Sequence, residues 1–423
     1  MQGLHLTADL YQCSGDLSIF VNESALAALC RKQTELSGLT IVGEKWVTFP
    51  EYQGEPGGVT GTLLLAESHL AIHTWPETGG VTLDVYVCNF SGNNSSKAQQ
   101  LIDGLVDAFQ PAHVQRNNLL RGDKEGPVGS GELLLESLND HAVYGFRFNR
   151  RILSRQTKYQ HLELLESPDL GLTMRLDGCL MTAEKEEFFY HEAIVHPAAI
   201  SHPNPRNALI IGGGDGGALE ELLKHNTIDR VTLVDLDADV IDVSREYLQA
   251  INHGSLDNPR VSVLVGDGAE FVRTIEEKFD LVILDLTDPE TPAGPLYTTQ
   301  FFHECKSVLA PGGAMVLHLG APFHEPEQVR SMTAALTGVF EHVSAYGLHI
   351  PLYGSYWALA VVSDVIQPSA LATEDVQQRL ADRHIDNLQY YNDEVHGALF
   401  ALPNYYRKLL PEVTESSRVA ELA

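Results

Sequence analysis

The stretch NALIIGGGDGGALEELLKH, residues 207–225, runs from buried-strand residues into glycines and resumes at helical spacing. A strand, a glycine turn and a helix are the first half of a nucleotide-binding βαβ unit, and Gly212, Gly214 and Gly217 satisfy its G-x-G-x-x-G spacing. Asp235 closes the next strand, RVTLVDLD, about 20 residues on, where a ribose-binding acid belongs. Asp215 argues against a dinucleotide, because a carboxylate inside the loop would repel a pyrophosphate. The same carboxylate suits a ligand that carries an ammonium and a sulfonium. Asp235 can still take ribose hydroxyls, and Asp267 in VGDGAEF can accept from an adenine amine. Any one of these could be a loop aspartate that merely starts a helix. The ordered set, at the ends of successive strands, fits a cationic nucleoside better than NAD.

Outward from this stretch, strands and helices alternate from residue 186 to the end: RVTLVDLD, RVSVLVGDG, DLVILDL and GGAMVLHLG, with YWALAVVSD as a further strand. That alternation predicts a doubly wound, Rossmann-like α/β domain over 186–423. Residues 140–185 are strand-rich and predict a small β domain. RGDKEGPVGSGE, within a linker at 121–139, is the best boundary in the chain. Residues 1–120 read as an α+β domain. Strand-like runs fall at 38–49, 59–67 and 81–90. SSKAQQLIDGLVDAF puts Leu101, Ile102, Leu105, Val106 and Phe109 on one helical face.

Composition narrows the partners. With 57 acidic against 28 basic residues and a net charge of −29, the surface repels nucleic acid and anionic membranes. No apolar run approaches the roughly 20 residues of a membrane span. The opening MQGLHLTADLYQC lacks a basic segment followed by an apolar one, so no secretory signal is expected. Five cysteines, scattered and without a CxxC pair, argue against a disulfide framework or structural zinc and for a reducing cytoplasm.

The fourth strand ends in ILDLTDPETPAGPLYT, with Asp285 and Asp288 three apart so that both can face one pocket. Two carboxylates, with Tyr190 and Tyr353 nearby, would hold a polyamine. They would also take the proton that an amine of pKa near 10 must lose to become a nucleophile. LDGCLMTAEKEEFFYHEA, HPNPRNALIIGGGDGGALEELLKH, DLTDP, IPLYGSYWAL and LQYYNDEVHGALFALPNYYRKLL resemble the polyamine aminopropyltransferases, spermidine synthase in particular, over residues 140–410. The resemblance implies that Gln160, His191, Asp215, Asp235 and Asp267 hold decarboxylated S-adenosylmethionine. It makes Asp285 the acid–base residue and places Tyr190, Asp288 and Tyr353 in the amine site, with no metal. Two departures stand out: Glu220 where the family usually has Arg, and an unusual loop from Glu290 to Tyr297 that leaves the acceptor open.

GLHLTADLYQC, GGVTG and ESHLAIHTWPETGGVTLDVYVC resemble the prokaryotic S-adenosylmethionine decarboxylase proenzyme over residues 3 to about 115. Decarboxylation of an amine substrate needs an electron sink, which a ketone supplies through a Schiff base. The resemblance implies a pyruvoyl group made from Ser68 by self-cleavage after Glu67. His73 would be the processing base, helped by Thr60; Cys88 would return a proton to substrate and Glu77 would hold the ribose. FPEYQGEPGGVTG is longer than the family pattern by about five residues, and Phe49 or Tyr52 could stack on adenine. The whole predicts a bifunctional enzyme: decarboxylation of S-adenosylmethionine, then aminopropyl transfer to putrescine, in a homodimer or higher homo-oligomer. The alternatives are a first domain that decarboxylates ornithine or arginine, or one kept only for assembly.

Overall fold

The structure is a computed structural model and describes residues 3–51, 54, 56–90, 92–121, 131–289 and 291–411. Tyr52, Glu290 and linker residues 122–130 lie outside the described residues. The chain forms two compact units, Met1–Ser130 and Gly131–Ala423.

The first unit's strands are β1 (Gly3–Tyr11), β2 (Ile41–Thr48), β3 (Val59–Leu65), β4 (Ser68–Trp75), β5 (Gly80–Cys88) and β6 (His113–Arg121). They make one antiparallel sheet in the order β2-β3-β4-β5-β1-β6. Period two decides its faces. Leu70, Ile72 and Thr74 of β4 and Val81, Leu83, Val85 and Val87 of β5 are buried. They pack with helices Glu23–Leu36 and Ser95–Phe109, and the predicted face from Leu101 to Phe109 is buried throughout. Each such aliphatic side chain contributes about 1.5–3 kcal/mol. β4 is a strand that the sequence reading left unassigned; a two-residue turn, Ala66–Glu67, joins it to β3, with Leu65 opposite Ser68.

The second unit begins earlier than expected. β7 (Glu132–Asn139) falls inside the predicted linker and pairs with β8 (Ala142–Phe148). A strand forms there because every second residue of ELLLESLN is half-buried while its neighbours are exposed. β9 (Arg150–Gln156), β10 (His161–Ser167), β11 (Gly171–Leu176) and β12 (Cys179–Ala183) form an antiparallel sheet in the order β12-β11-β10-β9. Then come β13 (Asn207–Gly212), β14 (Arg230–Asp235), β15 (Val261–Val265), β16 (Phe279–Asp285), β17 (Leu309–Gly320), β18 (His342–Ile350) and β19 (Ser355–Ser363). Their order is β15-β14-β13-β16-β17-β19-β18. β13 to β17 run parallel, as the alternation predicts, and β19 is antiparallel to both its neighbours. The strand order reverses between β13 and β16, the switch point where such sheets bind ligands beyond their C-terminal ends. No helix among the described residues is long and apolar enough to cross a membrane.

Candidate active sites

In the second unit, the glycine loop and Asp285 meet because Gly212 of β13 sits opposite Asp285 of β16. Gly213 has φ +67, and a Cβ there would lie 2.8 Å from Asp285 Oδ2. At Gly217 a Cβ would lie 2.1 Å from the His191 ring. These two glycines let the loop close onto acid and imidazole. The resulting cavity, about 320 Å³, is lined by Gln160, Tyr190, His191, Asp215, Asp235, Asp267, Asp285 and Tyr353. It brings together all the predicted donor-site residues.

Their partners refine the expectation. His191 sits on the buried helix Phe188–Ser201, with Nδ1 2.7 Å from Glu187 Oε2 and Nε2 3.4 Å from Asp215 Oδ2. Burial opposes its charge, but the two carboxylates outweigh burial and hold it well above the usual histidine range. Asp215 is likewise opposed by burial, yet His191 and the Gly217 N–H keep it below the usual aspartate value. It therefore answers to His191 as well as to any ligand. Asp235 accepts from the N–H groups of Gly214 (3.0 Å) and Asp237 (2.8 Å), while burial lifts it to about 6. Asp267 caps the helix Gly268–Thr274 through Oδ1, accepting from Ala269 and Glu270. Gln160 donates to Asp237 Oδ2 at 3.1 Å, an atom that Thr157 also reaches at 2.6 Å. Asp237 thus orients Gln160; the sequence reading missed it because it also caps a helix, Ala238–Tyr247, as many aspartates do.

Asp285 and Asp288 do not line the same cavity. Three residues of non-helical chain turn Asp288 into a smaller one of about 70 Å³, with Glu136, His318, Glu325 and Trp357. Tyr190 and Tyr353 line both. Asp285 Oδ2 is buried without a hydrogen-bond partner among the described residues, and burial followed by the Asp215 charge raises the acid to about 7. Burial also raises Glu136, with Asp288 adding to it. The Tyr353 hydroxyl donates to the Met181 carbonyl at 3.0 Å, which leaves its oxygen as an acceptor for an ammonium. Glu136 was missed because its strand was read as linker. His318 was missed because it is one polar residue in the apolar run of β17. Among the described residues, His191, Asp215 and Asp285 also lie close enough to share a cation; the His191–Asp215 ion pair accounts for two of them, and Gly213 admits Asp285 beside the loop.

In the first unit the predicted residues form two groups. At one end of the β3–β4 hairpin, the Cys88 N–H reaches both the Glu67 carbonyl (3.2 Å) and Ser68 Oγ (3.1 Å). At the other end, His73 Nδ1 is 3.0 Å from Thr60 Oγ1, which sits opposite it in register. Glu77, in the following turn, and Phe49 are exposed. His73 lies five residue steps along the strand from Ser68, about 16 Å at ~3.3 Å per step. A single chain does not bring the expected base to the expected nucleophile.

Both units match known families. The S-adenosylmethionine decarboxylase family matches residues 4–122, and the spermine/spermidine synthase domain matches residues 187–368. A polyamine aminopropyltransferase of Nitrosomonas europaea is 39% identical over 281 residues, 66% of this chain and 86% of the relative. Polyamine aminopropyltransferase 1 of Pseudomonas aeruginosa is 38% identical over 265 residues, 62% of this chain and 92% of the relative. A crystal structure of spermidine synthase in complex with the transition state analogue AdoDATO has a TM-score of 0.62 at 35% identity. It covers 66% of this chain and 94% of that one. The chain therefore belongs to the polyamine aminopropyltransferases, and it carries ahead of that domain one of the S-adenosylmethionine decarboxylase family.

Proposed function

We propose that this chain is a bifunctional polyamine-forming enzyme of a reducing cytoplasm. Its first unit decarboxylates S-adenosylmethionine, and its second transfers the aminopropyl group of the product to putrescine, giving spermidine and methylthioadenosine. The observation that carries the reading is Asp285, a buried carboxyl raised to about 7, with Oδ2 free of any hydrogen-bond partner among the described residues, in the larger of two acid-lined cavities that share Tyr190 and Tyr353. The larger cavity suits the cationic nucleoside: Asp235 for ribose, Asp267 for adenine, Asp215 and Gln160 for the aminopropyl side. The smaller, acidic cavity suits the far ammonium of the acceptor. Tyr190 and Tyr353 stand between, where the near amine gives its proton to Asp285 and attacks the carbon beside sulfur in line. The sulfonium needs no metal to leave.

The first unit suits a pyruvoyl group, because Ser68 Oγ and the Glu67 carbonyl share one donor at a turn. That group, once formed, supplies the electron sink for loss of CO₂. Cys88, at the end of β5, is the residue that returns a proton to the substrate. The separation of Ser68 from His73 supports a site completed by a second copy. In an antiparallel dimer, the Ser68 end of one chain meets the His73, Thr60 and Glu77 end of the other. Exposed Phe49 and Glu77 fit a nucleoside better than a plain amino acid. Measuring CO₂ release from S-adenosylmethionine, ornithine and arginine tests this; release from either amino acid instead would overturn the assignment of the first unit.

A further inference from the structure

We propose that the Cys88 main-chain N–H is the oxyanion donor for cleavage at Glu67–Ser68, and that Asn94 is the residue positioning it. This rests on the self-cleavage reading above. The donor already touches both reacting groups, 3.2 Å from the Glu67 carbonyl oxygen and 3.1 Å from Ser68 Oγ. Ser68 Oγ adds to the Glu67 carbonyl carbon as its proton leaves to a base, and the carbonyl oxygen becomes the oxyanion. Collapse breaks the bond to the Ser68 nitrogen, which takes a proton and leaves an ester and an amine. Loss of the Ser68 Cα proton then expels the Glu67 carboxylate. The enamine tautomerises, and water replaces its nitrogen as ammonia, leaving the ketone. The first of these steps puts charge where the Cys88 N–H points, and a donor fixed there in advance acts most strongly.

Asn94 fixes it. Its Nδ2 donates to the Cys88 carbonyl at 3.0 Å and to Glu67 Oε2 at 3.3 Å, tying both sides of the reacting group. Its own N–H is held by Asn89 Oδ1 at 2.8 Å. The independent sign is what Asn94 does not do. It occupies the N-cap of helix Ser95–Phe109, a place where asparagine is among the best caps, yet its side chain makes no capping bond. The side chain is turned instead to the cleavage site.

The test follows the full-length chain from synthesis by gel and intact mass. Asn94→Ala and Asn94→Asp should each slow cleavage at least about tenfold, part of the effect of losing an oxyanion donor outright. Hydroxylamine, which cuts esters, should not speed cleavage in either, because the lost step precedes the ester. Aspartate caps helices as well as asparagine, so Asn94→Asp should melt with the wild type. If Asn94→Asp cleaves at the wild-type rate, the Asn94 amide does not position the donor and the proposal fails. Accumulation of a hydroxylamine-sensitive chain in either variant would place the defect after the acyl shift and also overturn it. A wild-type chain that stays whole would instead bring down the self-cleavage reading itself.

Discussion

Asp285→Asn should make the donor-free protein more stable while disabling transfer. Burial, and after it the Asp215 charge, raises the Asp285 carboxyl from 3.8 to about 7. Between those values the folded chain keeps a proton that the unfolded chain has released, so stability falls as pH rises across the window and levels off above it. At about 1.36 kcal/mol per pH unit the whole interval is worth up to about 4 kcal/mol. Asparagine has nearly the same shape and no ionisation. Its advantage over the wild type should therefore grow from pH 5.5 to 7 and be full at pH 8. For a unit of this size, roughly 2–4 °C per kcal/mol gives a melting shift of about 10 °C. Calorimetry of the donor-free protein at pH 5.5, 7 and 8 reads the second unit directly. Transfer should fall by about 10²–10⁴ with loss of the acid–base group, while CO₂ release stays intact. Equal melting of the two proteins at pH 8 would refute the argument from burial, and a matching loss of CO₂ release would refute independent sites.

Ser68→Ala should stay a single chain and release no CO₂, yet transfer from supplied decarboxylated S-adenosylmethionine at the wild-type rate; intact mass and both assays read this. His73→Ala, uncut when expressed alone, should be cut when co-expressed with Ser68→Ala, because each chain lends the half-site the other lacks; no cutting would place the site within one chain. The kcat/KM for transfer should fall below about pH 7 as Asp285 takes up its proton, and Asp215→Asn should move that limb to lower pH by removing a neighbouring charge; an unmoved limb would mean another group sets it. Equal concentrations of putrescine, agmatine and spermidine should yield mainly spermidine, since a triamine would leave an ammonium buried and unpaired at a cost of several kcal/mol. Predominant spermine or aminopropylagmatine would show that the loop ending at Tyr297 has redirected the site.

The cavity proposed to hold the donor was legible because its residues obey local rules. Gly212 to Gly217 need a turn between strand and helix, and Asp235, Asp267 and Asp285 follow the ends of strands whose apolar runs are plain. The proposed amine site was half legible. Asp288 could be read as an acid near Asp285, but which cavity it enters depends on how the chain leaves β16. Glu136 arrives from a strand hidden by the glycines and charges before it, and Asp237 looks like any helix cap. In the first unit the residue types at Ser68, His73 and Cys88 were readable and their meeting was not. The five-residue step along β4 did carry the signal: extended chain puts Ser68 and His73 at opposite ends of one strand. Asn94 carried none, since asparagine before a helix ordinarily just caps it.

The central claim is that one chain makes the donor it consumes. The purified protein should be given S-adenosylmethionine labelled at the carboxyl carbon, with putrescine and nothing else. The account predicts labelled CO₂, methylthioadenosine and spermidine in equal amounts at completion. Spermidine formed only when decarboxylated S-adenosylmethionine is supplied, with no CO₂ from S-adenosylmethionine, would contradict it.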